Sequence, residues 1–312
     1  MEGTLKLKRE IYLDIDTLSL LIDKIFESAE QRGSLIIDFY NVKFIDACYI
    51  PIFKALTGLT NIKFKKSSEP KVNKYILEQD GQKLARDTVY PMKISRDLQH
   101  ISFQTKELIE YLKLYLNDEE TGKYIAFILQ ELVSNIFDHS GSLIGAIING
   151  QVYPNRKIGN TTGYVQLTVL DTGVGFKETL SRNYSLNNEI EAINKAIERN
   201  VTGATKEGIY GTINNVGFGL YAIKEFIKYL RGRMIIVSNN GLVQFTGTGK
   251  ENPTITTIPK QLKFGWKGSI VIIEVPMDTL QYYEFDVLME LIRKDDTNDF
   301  ELENFEDLFE DF

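Results

Sequence analysis

The segment "ELVSNIFDHS", residues 131–140, places polar side chains inside an apolar run with helical periodicity. Residues spaced i, i+4 and i+7 or i+8 lie on one side of an α-helix, so Glu131, Asn135 and either Asp138 or His139 are predicted to share a face. The remaining faces of this helix are apolar enough to require burial. A carboxylate, an amide and an imidazole along one side of a helix that must be buried require an explanation.

The bulk properties limit the classes of protein that this chain can belong to. Its 312 residues are long enough for two domains, and 43% apolar with 25% charged residues is typical of a soluble globular protein. No apolar run approaches the roughly 20 residues of a membrane span, and the N-terminus lacks the apolar core of a signal peptide. One cysteine, Cys48, suits a reducing compartment, so we expect a cytoplasmic protein without membrane association. The net charge of −7 argues against nucleic-acid binding.

Strand and helix patterns alternate over residues 1–95, which predicts a small α/β domain followed by a linker. "TLKLKREIYLDI" alternates like a strand, "DTLSLLIDKIFESAEQRG" is typical of a helix, and "SLIIDFYNV" is typical of a buried strand. A second α/β domain is predicted over residues 96–278. Its long helix "TGKYIAFILQELVSNIFDHS" has Thr121 as the expected cap, and Gly203 is expected to end "NNEIEAINKAIERNVTG".

Two glycine motifs follow in the second domain. In "DTGVGF", residues 171–176, Asp171 comes directly after a strand and can accept a hydrogen bond from the amine of adenine. Glycines in this loop let the backbone approach a flat base closely. In "GFGL", residues 217–220, the glycines expose backbone N–H groups at a helix start, where phosphate is favoured. Each motif alone is weak, because DxGxG is often only a turn and GxG precedes helices in many folds.

The polar helix stripe suits the same ligand. Asn135 offers a neutral oxygen to Mg²⁺, which takes few protein ligands and binds through substrate phosphates. Glu131, one turn earlier, could polarise a water or a hydroxyl beside the terminal phosphate. Asn135 alone would more often be an amide on a helix surface.

In this order and at these positions, the motifs resemble the GHKL ATPase superfamily of gyrase, Hsp90, histidine kinases and MutL. "ELVSNIFDHS" is similar to its N box, "DTGVGF" to its G1 box and "NNVGFGL" to its G2 box, and "WKGSIVIIEVP" to the last strand of histidine-kinase-type ATP domains, with Ser269 where Thr is usual. The resemblance covers roughly residues 100–277. It implies a two-layer α/β sandwich that binds ATP and Mg²⁺, with Glu131 catalytic and Asn135 the Mg²⁺ ligand. The implied ATP-binding residues are Asn135, Asp138, His139, Asp171, Gly173, Gly175, Gly217, Phe218, Gly219, Leu220 and Ser269.

The pattern E-x-x-x-N-x-x-x-H, ending at His139, resembles the serine kinases that act as anti-sigma factors. Histidine kinases need a separate phospho-accepting histidine, and His100 has no following Glu/Asp-x-x-Pro pattern, so we interpret it as a linker residue. "GSLIIDFYNVKFIDACYIPIF" resembles the core of a STAS domain, the fold of anti-sigma-factor antagonists. Phosphorylatable members carry Ser or Thr two residues after the aspartate, where this chain has Cys48 after Asp46. We therefore predict no self-phosphorylation there and expect Cys48 to pack as a small buried side chain.

The leading functional hypothesis is a regulatory kinase that transfers the γ-phosphate of ATP to Ser or Thr of a partner protein. The alternatives are a slow ATPase and a binding module in which ATP only sets conformation; a homodimer is possible in each case. Residues 177–216 have the length of a segment that orders over bound ATP. Within them, Lys206 either reaches a phosphate or is a solvated loop lysine.

The acidic tail, residues 279–312, contains twelve Asp and Glu residues against Arg293 and Lys294. It begins like an amphipathic helix and ends in acids interleaved with Phe and Leu. Phe305, Leu308, Phe309 and Phe312 form one apolar stripe at helical spacing. This stripe predicts a helix that docks into a groove on a partner or on a second copy of the chain, or else one that packs on its own ATPase domain.

Overall fold

The fold is that of a computed structural model. It describes residues 3–32, 34–59, 62–77, 89–95, 98–113, 115, 119–158, 161–203, 217–249, 252–280 and 282–294. The predictions for Lys206, for the rest of residues 204–216 and for the tail beyond residue 294 lie outside these ranges.

The N-terminal unit contains a parallel sheet in the order β1-β3-β5 and a short parallel pair, β2 and β4. Its elements are β1 (Gly3–Lys6), β2 (Glu10–Ile11), α1 (Ile15–Arg32), β3 (Leu35–Asp38), β4 (Phe44–Ile45), α2 (Tyr49–Leu59), β5 (Ile62–Lys65) and α3 (Pro70–Leu77). The segment predicted as one strand, "TLKLKREIYLDI", forms two strands instead, because β1 pairs with β3 whereas β2 pairs with β4.

The second unit is built on an antiparallel sheet in the order β6-β7-β8-β10-β9. Its elements are β6 (Val89–Ser95), α4 (Leu98–Lys113), α5 (Glu119–Asn135), a π-helical turn (Ile136–Ser140), β7 (Ala146–Ile158), β8 (Thr161–Leu170), α6 (Phe176–Leu180), α7 (Glu189–Ala196), α8 (Gly219–Tyr229), β9 (Arg233–Gly247), β10 (Ile255–Pro276) and α9 (Phe285–Lys294). The mixed α/β class expected from the sequence is confirmed.

Several local expectations differ from the observed elements. β6 lies on the N-terminal side of the boundary predicted near residue 95, yet it hydrogen-bonds to β7 of the second unit. His100, interpreted as a linker residue, lies within α4. Thr121 lies inside α5, which begins at Glu119, so it is not the N-terminal cap. Gly203 does not end the helix as expected, because α7 already ends at Ala196.

The five-stranded sheet is buried on both faces. On β10, Val271 and Ile273 point into a core with α4, α5, α8 and α9. Ile270 and Ile272 alternate with them and point into a second core, which they share with α1 and α2 of the N-terminal unit. Because side chains alternate along a strand, this continuous apolar run supplies both cores. The N-terminal unit thus covers the sheet face that the second unit's own helices leave open.

Polar contacts connect the two units at the start of α2. Asp46 is fully buried and forms an ion pair with Arg156 on β7. The backbone N–H of Cys48 donates to the side-chain oxygen of Gln166 on β8 at 2.9 Å. Cys48 is itself fully buried, as expected, and burial raises the pKa of its thiol well above its usual value. Residues 46–48, within the segment that resembles a STAS core, therefore contact the second unit.

Within the described ranges, the helices are each too short or too polar to cross a lipid bilayer.

Candidate functional site

Helix α5 presents Glu131 and Asn135 on one face while its apolar residues pack into the core of the second unit. Their i, i+4 spacing places the two side chains next to each other on the helix surface. Both side chains are half-buried. Burial raises the pKa of Glu131 to about 7, and the negative charge of Asp138 acts in the same direction. A carboxylate with a pKa near neutrality can accept or release a proton at physiological pH. Glu131 therefore has the acid–base property that its predicted role requires.

The helix changes character directly after Asn135. Residues 136–140 form a π-helical turn, which ends at Gly141 with φ of +61°. The wider turn breaks the regular spacing, so the single α-helical face predicted to continue to His139 is not maintained. Asp138 is exposed and His139 is half-buried. Burial lowers the pKa of His139, although the negative charge of Asp138 opposes the shift, so burial favours the neutral imidazole.

Asp171 lies immediately after β8 and is almost fully buried. Its carboxylate accepts hydrogen bonds from the backbone N–H of Gly173 at 2.7 Å and from the hydroxyl of Ser269 on β10. Burial raises the pKa of Asp171, whereas these hydrogen bonds lower it. The structure thus brings together Asp171 and Ser269, which lie 98 residues apart in the sequence.

The loop after Asp171 is fastened to the π-helical turn. The backbone N–H of Val174 donates to the carbonyl of Ser140 at 2.8 Å. A Cβ atom at Gly173 would lie 2.0 Å from that same carbonyl oxygen, so this approach requires glycine. At Gly175 a Cβ atom would lie 2.2 Å from the side-chain nitrogen of Asn239. These two glycines are needed for packing against protein, and the loop is thereby held beside the end of α5.

The third predicted motif, residues 217–220, lies at the start of α8. Gly217 has φ of +81°, and Phe218 occupies the cap position before Gly219 opens the helix. A Cβ atom at Gly219 would lie only 1.8 Å from a carboxylate oxygen of Glu131. The first turn of α8 therefore lies directly against Glu131, and Leu220 packs against the neighbouring core. Of the three predicted motif segments, residues 217–220 thus contact residues 131–140 near their beginning, and residues 171–176 contact them at their end.

A buried carboxylate that the sequence did not indicate also holds the loop of residues 173–176 in position. Glu189, at the start of α7, accepts hydrogen bonds from Ser238 and Asn239 on β9, each at 2.7 Å. The Ser238 hydroxyl in turn accepts from the backbone N–H of Phe176 at 2.8 Å. Glu189 thus ties the loop of residues 173–176 to β9. It was overlooked because a glutamate in the first turn of a helix is ordinarily a solvated residue that complements the helix dipole.

Positive charge lies beside the first turn of α8. The guanidinium groups of Arg199 and Arg293 both lie 5.9 Å from the centre of the Phe218 ring. Arg199 also donates a hydrogen bond to the backbone carbonyl of Arg293 at 3.2 Å. Neither arginine was singled out from the sequence, because they are separated by 94 residues and come together only through α9.

A surface depression of about 740 Å³ lies along α7. It is lined by residues of 184–198, including Tyr184, Lys195 and Glu198. Lys195 and Glu198 form an ion pair with each other, and Lys195 lies over the Tyr184 ring. Its lining residues are largely engaged with one another, and none of the residues predicted for catalysis or nucleotide binding belongs to it.

Comparison with models of known protein families gives no match. Comparison with the sequences of curated proteins gives no match either. Among the described residues, no group of three or more His, Cys, Asp or Glu side chains is arranged to hold a metal ion by itself.

Proposed function

We propose that the second unit binds Mg-ATP between α5, the loop of residues 171–176 and the start of α8. The observation that carries this proposal is the convergence of three separate segments. Glu131 lies against Gly219, and Gly173 with Val174 lies against Ser140. Segments that are up to 88 positions apart along the chain are thereby in contact, which supports the proposal that a buried acceptor, glycine backbone and a helix N-terminus bind one ligand.

Each part of this site suits one part of the nucleotide. Asp171 is a buried acceptor suited to the amine of adenine, with Ser269 fixing its orientation. The N–H groups at the start of α8 suit phosphate, and the arginines beside Phe218 add positive charge. Asn135 would hold Mg²⁺, with most of the remaining ligands coming from phosphate and water.

We propose that the reaction is transfer of the γ-phosphoryl group to a Ser or Thr hydroxyl of a partner protein. The hydroxyl oxygen forms the new bond to phosphorus, the bond to the bridging oxygen breaks, and ADP leaves. Glu131 accepts the hydroxyl proton, and its pKa of about 7 places it near the pH where this transfer is efficient. Bound Mg²⁺ neutralises charge that develops on the phosphates.

On this proposal the chain joins a STAS-like N-terminal unit to a GHKL-type kinase domain in a cytoplasmic signalling protein. The order of the parallel strands and the Asp46–Cys48 turn before α2 support the STAS likeness. A slow ATPase is the second candidate. The same Glu131 would then orient a water molecule in place of a hydroxyl, and the half-buried position of this carboxylate serves both reactions.

Incubation of the protein with γ-labelled Mg-ATP, alone and with a cell lysate, distinguishes these reactions. A kinase yields labelled partner protein, a slow ATPase yields free phosphate, and a binding module yields neither. We expect Glu131→Ala to abolish turnover while nucleotide affinity stays near the wild-type value, and Asn135→Ala to reduce both. Full turnover by Glu131→Ala would remove the proposed base, and failure of the wild type to bind Mg-ATP would overturn the whole assignment.

A further inference from the structure

The contact between helix α1 and strand β10 continues directly into the candidate nucleotide site. β10 leaves its regular pairing with β9 between Gln261 and Ser269. Within this detour Gly265 and Gly268 have φ of +82° and +98°. A Cβ atom at Gly268 would lie 2.5 Å from the carbonyl oxygen of Asp171. The detour therefore packs against the loop that carries the proposed adenine-binding carboxylate.

The N-terminal unit holds this detour through Asp23 on α1. Its carboxylate accepts backbone N–H groups from Lys263 at 3.1 Å, from Phe264 at 2.9 Å and from Gly265 at 3.4 Å. These N–H groups belong to a stretch that has left the β-ladder, so the carboxylate replaces the partners that β9 does not supply. Hydrogen bonds to a charged acceptor are stronger than neutral ones.

One turn further along α1, Phe26 contacts Trp266 edge to face, with ring centres 6.0 Å apart. Trp266 is almost fully buried, and its indole N–H donates to the carbonyl oxygen of Asp171 at 2.9 Å. Ser269, at the end of the detour, bonds Asp171 through both its hydroxyl and its backbone carbonyl. Continuous contacts thus run from α1 through residues 263–269 to Asp171.

We propose that Asp23 and Phe26 are positioning residues for Asp171, so that the nucleotide site of the second unit is complete only while the N-terminal unit is docked on β10. This inference rests on the proposed ATP site. It makes the N-terminal unit a regulator of nucleotide affinity, because a partner that displaces α1 also displaces the support of Asp171. Linkage requires the reverse effect as well, so bound nucleotide changes the affinity for that partner by the same factor.

Trp266 is the only tryptophan of the chain, so its fluorescence reports on this contact without any nucleotide. The test compares Asp23→Ala with Glu27→Ala in the full-length protein. Glu27 is the matched control, because it lies one turn away on α1 and pairs with the side chain of Lys263 at 3.2 Å without touching the detour's backbone. Asp23→Asn keeps a side-chain acceptor and serves as the conservative variant.

In Asp23→Ala we expect altered Trp266 emission and about tenfold weaker Mg-ATP binding, within the usual range of coupling between sites. Asp23→Asn should recover most of both properties, and Glu27→Ala should match the wild type. Equal Trp266 emission in Asp23→Ala and Glu27→Ala overturns the proposal, and so does altered emission with unchanged ATP affinity.

Two further outcomes are failure of Asp23→Ala to fold and failure of the wild type to bind Mg-ATP. If Asp23→Ala does not fold, Phe26→Leu replaces it, and unchanged Trp266 emission and ATP affinity in that variant overturn the proposal. If the wild type binds no Mg-ATP, the proposed function fails and the link to nucleotide affinity fails with it, whereas the emission comparison still decides whether α1 positions the Asp171 loop.

Discussion

Buried carboxylates occur both at the contact between the two units and at the candidate site, but their surroundings differ. Asp46 and Glu274 at the contact each form an ion pair with an arginine, Arg156 and Arg233 respectively. Glu131 at the candidate site is half-buried; burial is the main cause of its raised pKa, and the charge that adds to the shift is the like charge of Asp138.

The presence or absence of a cationic partner distinguishes carboxylates with a structural role from those with a reactive role. A buried carboxylate paired with a cation has its charge balanced inside the fold and so fixes how two elements pack, although burial still raises the pKa of Glu274. A buried carboxylate without such a cation has a raised pKa and gains a favourable partner only when a proton or a ligand arrives. The first kind holds the N-terminal unit on the sheet, and Glu131, which is of the second kind, lies against the first turn of α8.

The largest expected change in the free energy of unfolding follows from breaking the buried ion pair between Asp46 and Arg156. Arg156→Ala leaves Asp46 buried without its cation, which should lower the free energy of unfolding by about 3–5 kcal/mol. Urea denaturation at pH 7 measures this loss. Adding Asp46→Asn to the variant should recover part of it, since the uncompensated charge is then gone. A loss below about 1 kcal/mol for Arg156→Ala would show that this ion pair resembles a surface pair.

Removing the charge of Glu131 should stabilise the protein, whereas removing Arg156 destabilises it, because the charge of Glu131 opposes folding. Burial raises its pKa from the ordinary value of 4.5 to about 7, so the folded protein binds the proton more tightly than the unfolded chain does. Its contribution to stability is full below pH 4.5 and is lost as the pH rises through 7. Glu131→Gln should therefore be more stable than the wild type at pH 8 by about 2–3 kcal/mol, relative to the difference at pH 4.5.

Denaturation curves of both proteins across this pH range test the expectation. A wild type that keeps the same stability difference from Glu131→Gln at every pH would contradict the raised pKa and, with it, the contrast between the two groups of carboxylates.

Asp171→Asn should produce a smaller effect, on ligand binding. Asparagine has nearly the same shape and can still bond Gly173 and Ser269, so the melting temperature should change little. The charged acceptor for the adenine amine is lost, so Mg-ATP affinity should fall by at least about 1–3 kcal/mol, and the preference over Mg-GTP should diminish. Calorimetric titration with both nucleotides measures this, and an unchanged ATP affinity would remove Asp171 from the site.

The smallest effect is expected at an exposed ion pair that also joins the two units. Lys260 on β10 pairs with Asp16 on α1, and the Asp16 side chain is 83% exposed. Lys260→Ala should therefore change the unfolding free energy by less than about 1 kcal/mol. A loss as large as that of Arg156→Ala would mean that burial does not determine which contacts hold the units together.

The sequence predicted the parts of the site that are local in the chain. The helical period predicted over residues 121–140 and the strand end before Asp171 depend on neighbouring residues, and both elements are observed, although the α-helix spans Glu119–Asn135. The π-helical turn after Asn135 has no recognisable local signal. Glu189 and Asp23 acquire their roles from partners 49 and more than 200 residues away, so spacing could not indicate them. The strand signal in "WKGSIVIIEVP" does not indicate which element covers each face of β10.

Hydrogen–deuterium exchange of the full-length protein with and without Mg-ATP tests the central claim most directly. The account predicts that ATP protects residues 131–140, 171–176 and 217–220 together, because these three segments surround one ligand, while α3 (Pro70–Leu77) exchanges at the same rate in both samples. Protection confined to the depression along α7, or protection of one motif segment without the other two, would contradict it.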